Sequence, residues 1–153
     1  MSVEMALRAN QGQVFAIEKK EEAAALLAEN KRKFAVDNLE IIKGEAPFAM
    51  EELPAPTHAF IGGSSGNLKE IVALLLKKNE QVRMVINCIT LETISEAIEL
   101  LKEYQFEVQE VVQLAAARGK TLGSYHLMMG ENPIYIITCQ NPREMPSKRD
   151  EER

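Results

Sequence analysis

The sequence predicts an α/β protein with a Rossmann-like, doubly wound sheet that ends in an antiparallel carboxyl-terminal hairpin of strands. Apolar runs of strand length alternate four times with segments whose apolar residues recur at helical spacing, which is typical of parallel strands joined by helical crossovers. A glycine pair, Gly62 and Gly63, separates one such strand from the helix that follows it. Beyond residue 105 the alternation stops, and two more apolar runs follow with no helical pattern between them. These last two strands are expected to pair antiparallel.

The first half of the chain supplies two strands, each following a helix or a turn. The predicted elements are, in order, a helix over residues 2–10, a strand over 13–18, a helix over 21–34, a strand over 39–43 and a short helix over 47–52. The strand that ends on Glu18 is apolar almost throughout, as expected for burial on both faces of a parallel sheet. Pro47 suits the first turn of the short helix, where its missing N–H costs nothing.

The second half repeats the alternation of strands and helices and then ends in two strands without a helix between them. Its predicted elements are a strand over residues 58–61, a helix from Leu68, a strand over 81–88, a helix capped by Thr90, and strands over 106–114 and 134–139. The polar, glycine-bearing segment 118–132 is predicted to be a loop. Residues 1–140 are expected to form one domain, and the charged, proline-punctuated segment 141–153 a disordered tail.

Composition and charge narrow the function classes. A formal net charge of −5 argues against a nucleic-acid surface, which draws on clustered Lys and Arg. No apolar run approaches the roughly 20 residues of a membrane span, and the first ten residues show no secretory signal. We therefore expect neither a membrane-spanning segment nor secretion of the protein. Cys88 and Cys139 both fall in predicted strands, which indicates buried free thiols in a reducing cytoplasm.

Polar and glycine residues follow several predicted strands at the point where each strand ends. Right-handed crossovers direct the carboxyl ends of parallel strands to one edge, so Glu18, Glu45, Gly62 and Asn87 are expected to converge. Glu18 has the position of a carboxylate that accepts hydrogen bonds from a ribose diol. Glu45 is placed to accept from an adenine amine, with Ala46 lining the ring. Plain solvated carboxylates and a plain tight turn are the alternatives for these positions.

Other candidates carry weaker signals. The turn at Gly62 lacks the Lys-Ser/Thr of a phosphate loop, and no metal-ligand spacing or Ser-His-Asp order is present, so no metal is predicted. His58 precedes a strand and is predicted to be structural. Arg118, Tyr125 and His126 lie in the predicted loop and are candidates for substrate contact or proton transfer, with a solvated surface role as the alternative.

Several segments together resemble the decarboxylating precorrin methyltransferases of cobalamin biosynthesis. These are residues 14–19, 38–47, 60–68, Asn87 with 90–93, 118–120 and 132–137. The segment Ile-Gly-Gly-Ser-x-Gly-Asn-Leu, followed by Asn-x-x-Thr-Leu-Glu-Thr, is the specific part of the likeness, whereas an acidic strand end is common to the whole superfamily.

The resemblance implies a class I methyltransferase fold that uses S-adenosyl-L-methionine, and methylation of carbon 15 of a precorrin with loss of the ring C acetate carboxylate. It places Glu18 on the ribose, Glu45 and Ala46 on the adenine, and Gly62 and Gly63 beside the methionine end. For a complete site of this kind, we expect Arg118 or Lys120 to hold an acetate or propionate of the tetrapyrrole, and Tyr125 and His126 to serve in proton transfer. The family commonly forms homo-oligomers.

One departure from the family leaves the function open. The family opens with a strand and a Gly-rich loop that would precede Ser2, so the first strand is expected to be absent here. A late start in the gene model, a partner segment in that place, or loss of cofactor binding would each account for this. A non-catalytic Rossmann-like binding module is therefore the alternative function. A nicotinamide dehydrogenase fits Glu18 but lacks the Gly-x-Gly-x-x-Gly turn.

Overall fold

The structure is a computed structural model that describes residues 1–142, and the chain divides into one unit over Met1–Pro54 and a second that begins at Ala55. Apart from Asn141 and Pro142, the predicted tail lies outside the described residues. Within the described range, none of the helices combines the length and apolar character that crossing a membrane requires.

The first unit is a pair of parallel strands with two helices. Its elements are α1 (Ser2–Arg8), β1 (Val14–Glu18), α2 (Glu21–Lys33), β2 (Leu39–Lys43) and a 3-10 helix over Phe48–Met50. The strands run in register from Val14 beside Leu39 to Glu18 beside Lys43. A small apolar core forms where α1 packs on the strands, built from Ala6, Val14, Ala16, Val36 and Leu39. The predicted helix over residues 47–52 is thus a single 3-10 turn.

Asn38 joins the start of β2 to the segment after α1. Its side-chain amide donates to the carbonyl oxygens of Ala6 and Ala9, both at 2.9 Å, and lies 3.1 Å from that of Gly12. The carbonyls at the end of a helix have no partner within the helix, and a side-chain donor satisfies them. Asn38 therefore anchors α1 against the two-stranded sheet.

The second unit contains a four-stranded mixed sheet. Its elements are β3 (His58–Ile61), α3 (Leu68–Lys78), β4 (Arg83–Cys88), α4 (Leu91–Glu103), β5 (Glu107–Leu114), β6 (Ala117–Leu122), β7 (Tyr125–Gly130) and β8 (Ile134–Gln140). The sheet order is β3-β4-β8-β5. The β3–β4 pair is parallel, and β8 runs antiparallel to both β4 and β5. The predicted Rossmann-like class and the antiparallel carboxyl-terminal strands are confirmed.

Alternation along β4 defines the two faces of this sheet. Met84, Ile86 and Cys88 are buried, and the Cys88 thiol lies 3.9 Å from the carbonyl oxygen of Thr93 in α4. Val85 and Asn87 point to the other face because successive side chains of a strand alternate. Helix α4 begins as predicted, with the Thr90 hydroxyl accepting from the Thr93 N–H at 3.2 Å.

One prediction about this architecture is wrong. The segment predicted as a loop, residues 118–132, contains the antiparallel pair β6–β7 joined at Gly123 and Ser124. Gly123 has a φ of +62°, which favours a glycine and suits a two-residue hairpin turn. Across the described residues β1 pairs only with β2, and β3 only with β4, which is the pairing expected when the first strand is absent.

Candidate functional site

Two carboxylates lie at one edge of the first unit. Because β1 and β2 are parallel, their carboxyl ends share that edge, where Glu18 stands beside Lys43 and Glu45 follows two residues later. The Lys19 ammonium donates to a Glu45 carboxylate oxygen at 2.9 Å and so links the segments that follow the two strands. Glu18 and Glu45 are thus held near the same strand ends.

The Glu18 carboxylate is oriented by the backbone. Its Oε1 accepts from the Lys20 N–H at 2.9 Å, and its carbonyl oxygen accepts from the Gly44 N–H at 3.1 Å. Glu18 is half-buried, so this local bond fixes a carboxylate that still reaches solvent. An oriented carboxylate at a strand end can accept hydrogen bonds from a vicinal diol.

The segment after β2 adds an aromatic surface that sequence reasoning missed. Glu45 and Ala46 are partly exposed, and Phe48, two residues further on, is 72% exposed. An exposed ring three residues after Glu45 offers a flat apolar surface to a planar heterocycle such as a purine. The signal was present as Phe48 within the predicted short helix, but the pattern did not show whether its ring would be buried.

Gly44 is required by close packing in the same turn. A Cβ at Gly44 would lie 2.8 Å from the Cβ of Ala49, closer than real side chains approach. The glycine lets the 3-10 helix fold back against the end of β2.

The second unit has its own edge of parallel strand ends. The register of β3 and β4 ends with Ile61 beside Ile86, so Gly62 and Asn87 follow next to each other. A Cβ at Gly62 would lie 2.9 Å from Cε1 of Phe60, whereas a Cβ at Gly63 would meet no heavy atom of the described residues within 4 Å. A side chain at position 62 therefore requires the Phe60 ring to shift, whereas one at position 63 does not displace any described residue.

The three candidates from the carboxyl-terminal half all lie on the β6–β7 hairpin. Arg118 stands opposite Met129, Leu122 opposite Tyr125, and Thr121 opposite His126. Alternation places Arg118 and Tyr125 on one face, about 13 Å apart along the strands, and His126 on the other face. The hairpin therefore brings Arg118 and Tyr125 to one surface and separates His126 from them.

Arg118 already has a partner. Its Nε lies 2.7 Å from a Glu131 carboxylate oxygen, with side-chain exposures of 83% and 51%. Exposed ion pairs of this kind are weak, so an incoming carboxylate can compete with Glu131. Lys120 and Leu127 lie on the same face of the hairpin, which makes that face both cationic and apolar.

The remaining titratable side chains singled out from the sequence are a histidine at the start of a strand and two cysteines. His58 lies at the start of β3 with its Nδ1 3.1 Å from the Thr57 hydroxyl. Cys88 and Cys139 are buried free thiols, and burial raises the pKa of Cys139 to about 11. Over residues 1–142, no cluster of three or more His, Cys, Asp or Glu side chains has the arrangement of a metal site.

Comparison with known proteins gives consistent matches. Residues 1–141 match the family model of the precorrin methyltransferase domain. A probable cobalt-precorrin-6B C(15)-methyltransferase (decarboxylating) of Pyrobaculum calidifontis is 37% identical over 141 residues, which are 91% of this chain and 72% of that protein.

Two solved structures are similar in both sequence and fold. Precorrin-6y C5,15-methyltransferase of Geobacter metallireducens is 32% identical, with a TM-score of 0.79 over 92% of this chain and 74% of that chain. Precorrin 8W decarboxylase of Methanobacterium thermoautotrophicum is also 32% identical, with a TM-score of 0.76 over 90% of this chain and 73% of that chain.

Proposed function

The chain belongs to the precorrin methyltransferase family, and on this premise we propose that it methylates carbon 15 of a precorrin or cobalt-precorrin and removes the carboxylate of the ring C acetate, in cobalamin biosynthesis. The observation that carries the proposal is the family match over residues 1–141, which includes every strand end described above. The name of the Pyrobaculum relative supports the choice of carbon 15 and the decarboxylation.

The cofactor of the proposed reaction is S-adenosyl-L-methionine. Its ribose hydroxyls are assigned to Glu18, whose carboxylate the Lys20 N–H already orients. The adenine is assigned to Glu45 and Ala46, next to the exposed ring of Phe48. Gly62 and Gly63 are assigned to the methionine end, which is supported by the open space at the position of a Gly63 side chain. The residues present thus fit the chemistry of an adenosyl group.

The protein's own contribution to the reaction is orientation. The cofactor, when bound, supplies an electrophilic sulfonium methyl group, and the nucleophile is the meso carbon of the macrocycle. Aligned reactants gain on the order of 7 to 11 kcal/mol over free encounter. Glycines at a strand end allow a backbone to approach a ligand without a Cβ in the way. Loss of carbon dioxide then uses the macrocycle as the electron sink.

The tetrapyrrole is assigned to one face of the β6–β7 hairpin. Arg118 and Lys120 offer charge-assisted bonds to the acetate and propionate groups of a precorrin, and Leu127 offers apolar surface to the ring. Tyr125 lies on the same face and is the proposed proton donor. His126 lies on the opposite face, so its proposed role in proton transfer requires a ligand that contacts that second face of the hairpin.

A second copy of the chain is the expected partner of the hairpin. Every residue of β6 and β7 is exposed, and a two-stranded sheet that packs on nothing is marginally stable in water. We expect the chain to form a homo-oligomer in the cytoplasm, where its two free thiols stay reduced. Sedimentation equilibrium measures this directly, and a monomer at micromolar concentration would contradict it.

Calorimetric titration of S-adenosylhomocysteine into the purified chain tests the cofactor assignment. Saturable binding is expected for the natural sequence, and Glu18→Gln should weaken it about tenfold or more because a charged acceptor is lost. Glu40→Gln is the matched control, since Glu40 is an exposed strand carboxylate bonded to Gln13. No heat of binding with the natural sequence would refute the proposal and favour the non-catalytic binding module.

Substitution of Arg118 by Ala tests the substrate assignment. Tetrapyrrole affinity should fall while S-adenosylhomocysteine affinity stays the same, because Arg118 is assigned to a carboxylate of the macrocycle. Fluorescence titration with a stable precorrin analogue measures the first quantity and calorimetry the second. Unchanged tetrapyrrole affinity would remove Arg118 from the site.

A further inference from the structure

Asn87, near the end of β4, carries a polar atom that the fold leaves unsatisfied. Its side-chain Oδ1 is buried and has no hydrogen-bond partner among the described residues. Buried polar atoms in native proteins nearly always have a partner, because removing them from water without one is costly. The partner of such an acceptor is therefore water or a ligand, and the place of Asn87 in the fold decides between them.

The position of Asn87 indicates which ligand would reach it. Continuing the β3–β4 register places Asn87 beside Gly62, on the sheet face that also carries Phe60 and Val85. The Phe60 ring covers the position of a Gly62 side chain, 2.9 Å from where a Cβ would lie, whereas the space at a Gly63 Cβ is open. These two glycines are the residues assigned above to the methionine end of the cofactor.

The chemistry of the acceptor selects one group of that cofactor. An amide carbonyl oxygen only accepts hydrogen bonds, so it pairs with an N–H or O–H donor. The acetate and propionate groups at the edge of a tetrapyrrole are carboxylates at neutral pH and are acceptors as well, and its ring N–H donors face the centre of the macrocycle. The methionine part of S-adenosylmethionine carries an ammonium group with three N–H donors, which form charge-assisted bonds.

We propose that the Asn87 Oδ1 accepts a hydrogen bond from the α-ammonium group of the bound cofactor. The proposal rests on the proposed function, because it takes S-adenosylmethionine as the ligand of this strand edge. It assigns Asn87 as a cofactor-binding residue that selects ligands with an intact amino-acid part.

The same sheet supplies a matched control. Asn141, directly after β8, also has a buried Oδ1 without a partner in the described part of the chain. Because β8 is antiparallel to β4, with Cys139 beside Met84, Asn141 lies towards the opposite edge of the sheet from Asn87. Substitution at both positions removes a buried amide, but only position 87 adjoins the glycine pair.

The test compares two ligands by calorimetry: S-adenosylhomocysteine and its desamino analogue, in which hydrogen replaces the ammonium group. Asn87→Leu should weaken S-adenosylhomocysteine about tenfold or more and leave the affinity for the desamino analogue unchanged. Asn87→Asp keeps an acceptor and adds a negative charge, so it should retain S-adenosylhomocysteine binding. Asn141→Leu should change neither affinity.

Each outcome decides between the two proposals. Equal losses for both ligands in Asn87→Leu, or no loss for either, would overturn the ammonium contact while leaving the cofactor assignment in place. If Asn87→Leu fails to fold, Asn87→Asp provides the test, because it is expected to retain S-adenosylhomocysteine binding. A loss of affinity for S-adenosylhomocysteine in this variant, with no loss of affinity for the desamino analogue, would contradict the proposal. If the natural sequence binds neither ligand, the proposed function itself fails and this inference with it.

Discussion

The glycine pair after β3 allows fold and ligand binding to be separated by two neighbouring substitutions. Gly62→Ala places a Cβ 2.9 Å from Cε1 of Phe60, so the ring must move. Overpacking of this kind costs about 1 to 3 kcal/mol, which for a chain of this size lowers the melting temperature by about 2 to 12 °C.

Gly63→Ala is the matched variant with the opposite expectation. Its Cβ would meet no heavy atom of residues 1–142 within 4 Å, and Gly63 has no positive φ among the backbone angles of that range. Replacing such a glycine restricts the unfolded chain and adds about 0.4 to 1 kcal/mol of stability. If the cofactor lies against this backbone, the same methyl group obstructs it, and binding weakens although the fold does not.

The assay is a thermal melt of each variant without ligand, followed by calorimetry with S-adenosylhomocysteine. We expect Gly63→Ala to melt at or above the temperature of the natural sequence and to bind the ligand more weakly. A Gly63→Ala protein with unchanged affinity would refute the assignment of this backbone to the methionine end. A Gly62→Ala protein of unchanged stability would refute the packing argument.

Three further predictions follow from the structure. Leu39 is fully buried in the core of the first unit, so Leu39→Ala should lower the free energy of unfolding in urea by about 2 to 5 kcal/mol; a change under about 1 kcal/mol would mean that this core is loosely packed. Burial raises the pKa of Cys139 from 9.0 to about 11 and also raises the pKa of Cys88. The thiols of the unfolded chain therefore ionise at lower pH than those of the folded chain, so the free energy of unfolding should fall as the pH rises from 9 towards 11. Cys139→Ala should reduce that slope in urea titrations at several pH values, and an unchanged slope would assign it to other groups. Glu131→Gln removes the partner of Arg118 and should strengthen tetrapyrrole binding in a fluorescence titration, while weaker binding would show that Glu131 orients the arginine.

Local patterns were sufficient to predict most elements of this chain. Strand β2 occupies the predicted residues 39–43, because Asn38 and Gly44 mark both of its ends. The helix capped by Thr90 begins where the sequence places it, since the hydroxyl bond to the Thr93 N–H is a local interaction. Such features depend on residues a few positions apart, which a sequence displays directly.

The errors concern features that depend on distant residues or on weak patterns. The β6–β7 hairpin has no buried face, so its strands lack the apolar alternation that identifies a strand. The dipeptide Gly123-Ser124 was the available signal, since a glycine followed by serine between two extended segments favours a tight hairpin turn.

Part of the geometry of the candidate site was predictable for the same reason. Strand ends are visible in sequence, and Glu18 and Glu45 do share an edge in the first unit, as Gly62 and Asn87 do in the second. The ion pair that occupies Arg118, the exposure of Phe48 and the unpaired oxygen of Asn87 are three-dimensional facts. No spacing rule in the sequence reveals them.

The product of a single incubation shows whether the chain methylates carbon 15 and removes the acetate carboxylate. The chain is mixed with S-adenosylmethionine that carries an isotopically labelled methyl group and with precorrin-6B or its cobalt form, and the tetrapyrrole is analysed by mass spectrometry and NMR. The account predicts the label on carbon 15 and the release of one carbon dioxide for each methyl transferred. Label on a different atom, or cofactor binding with no transfer to either form of the substrate, would contradict it.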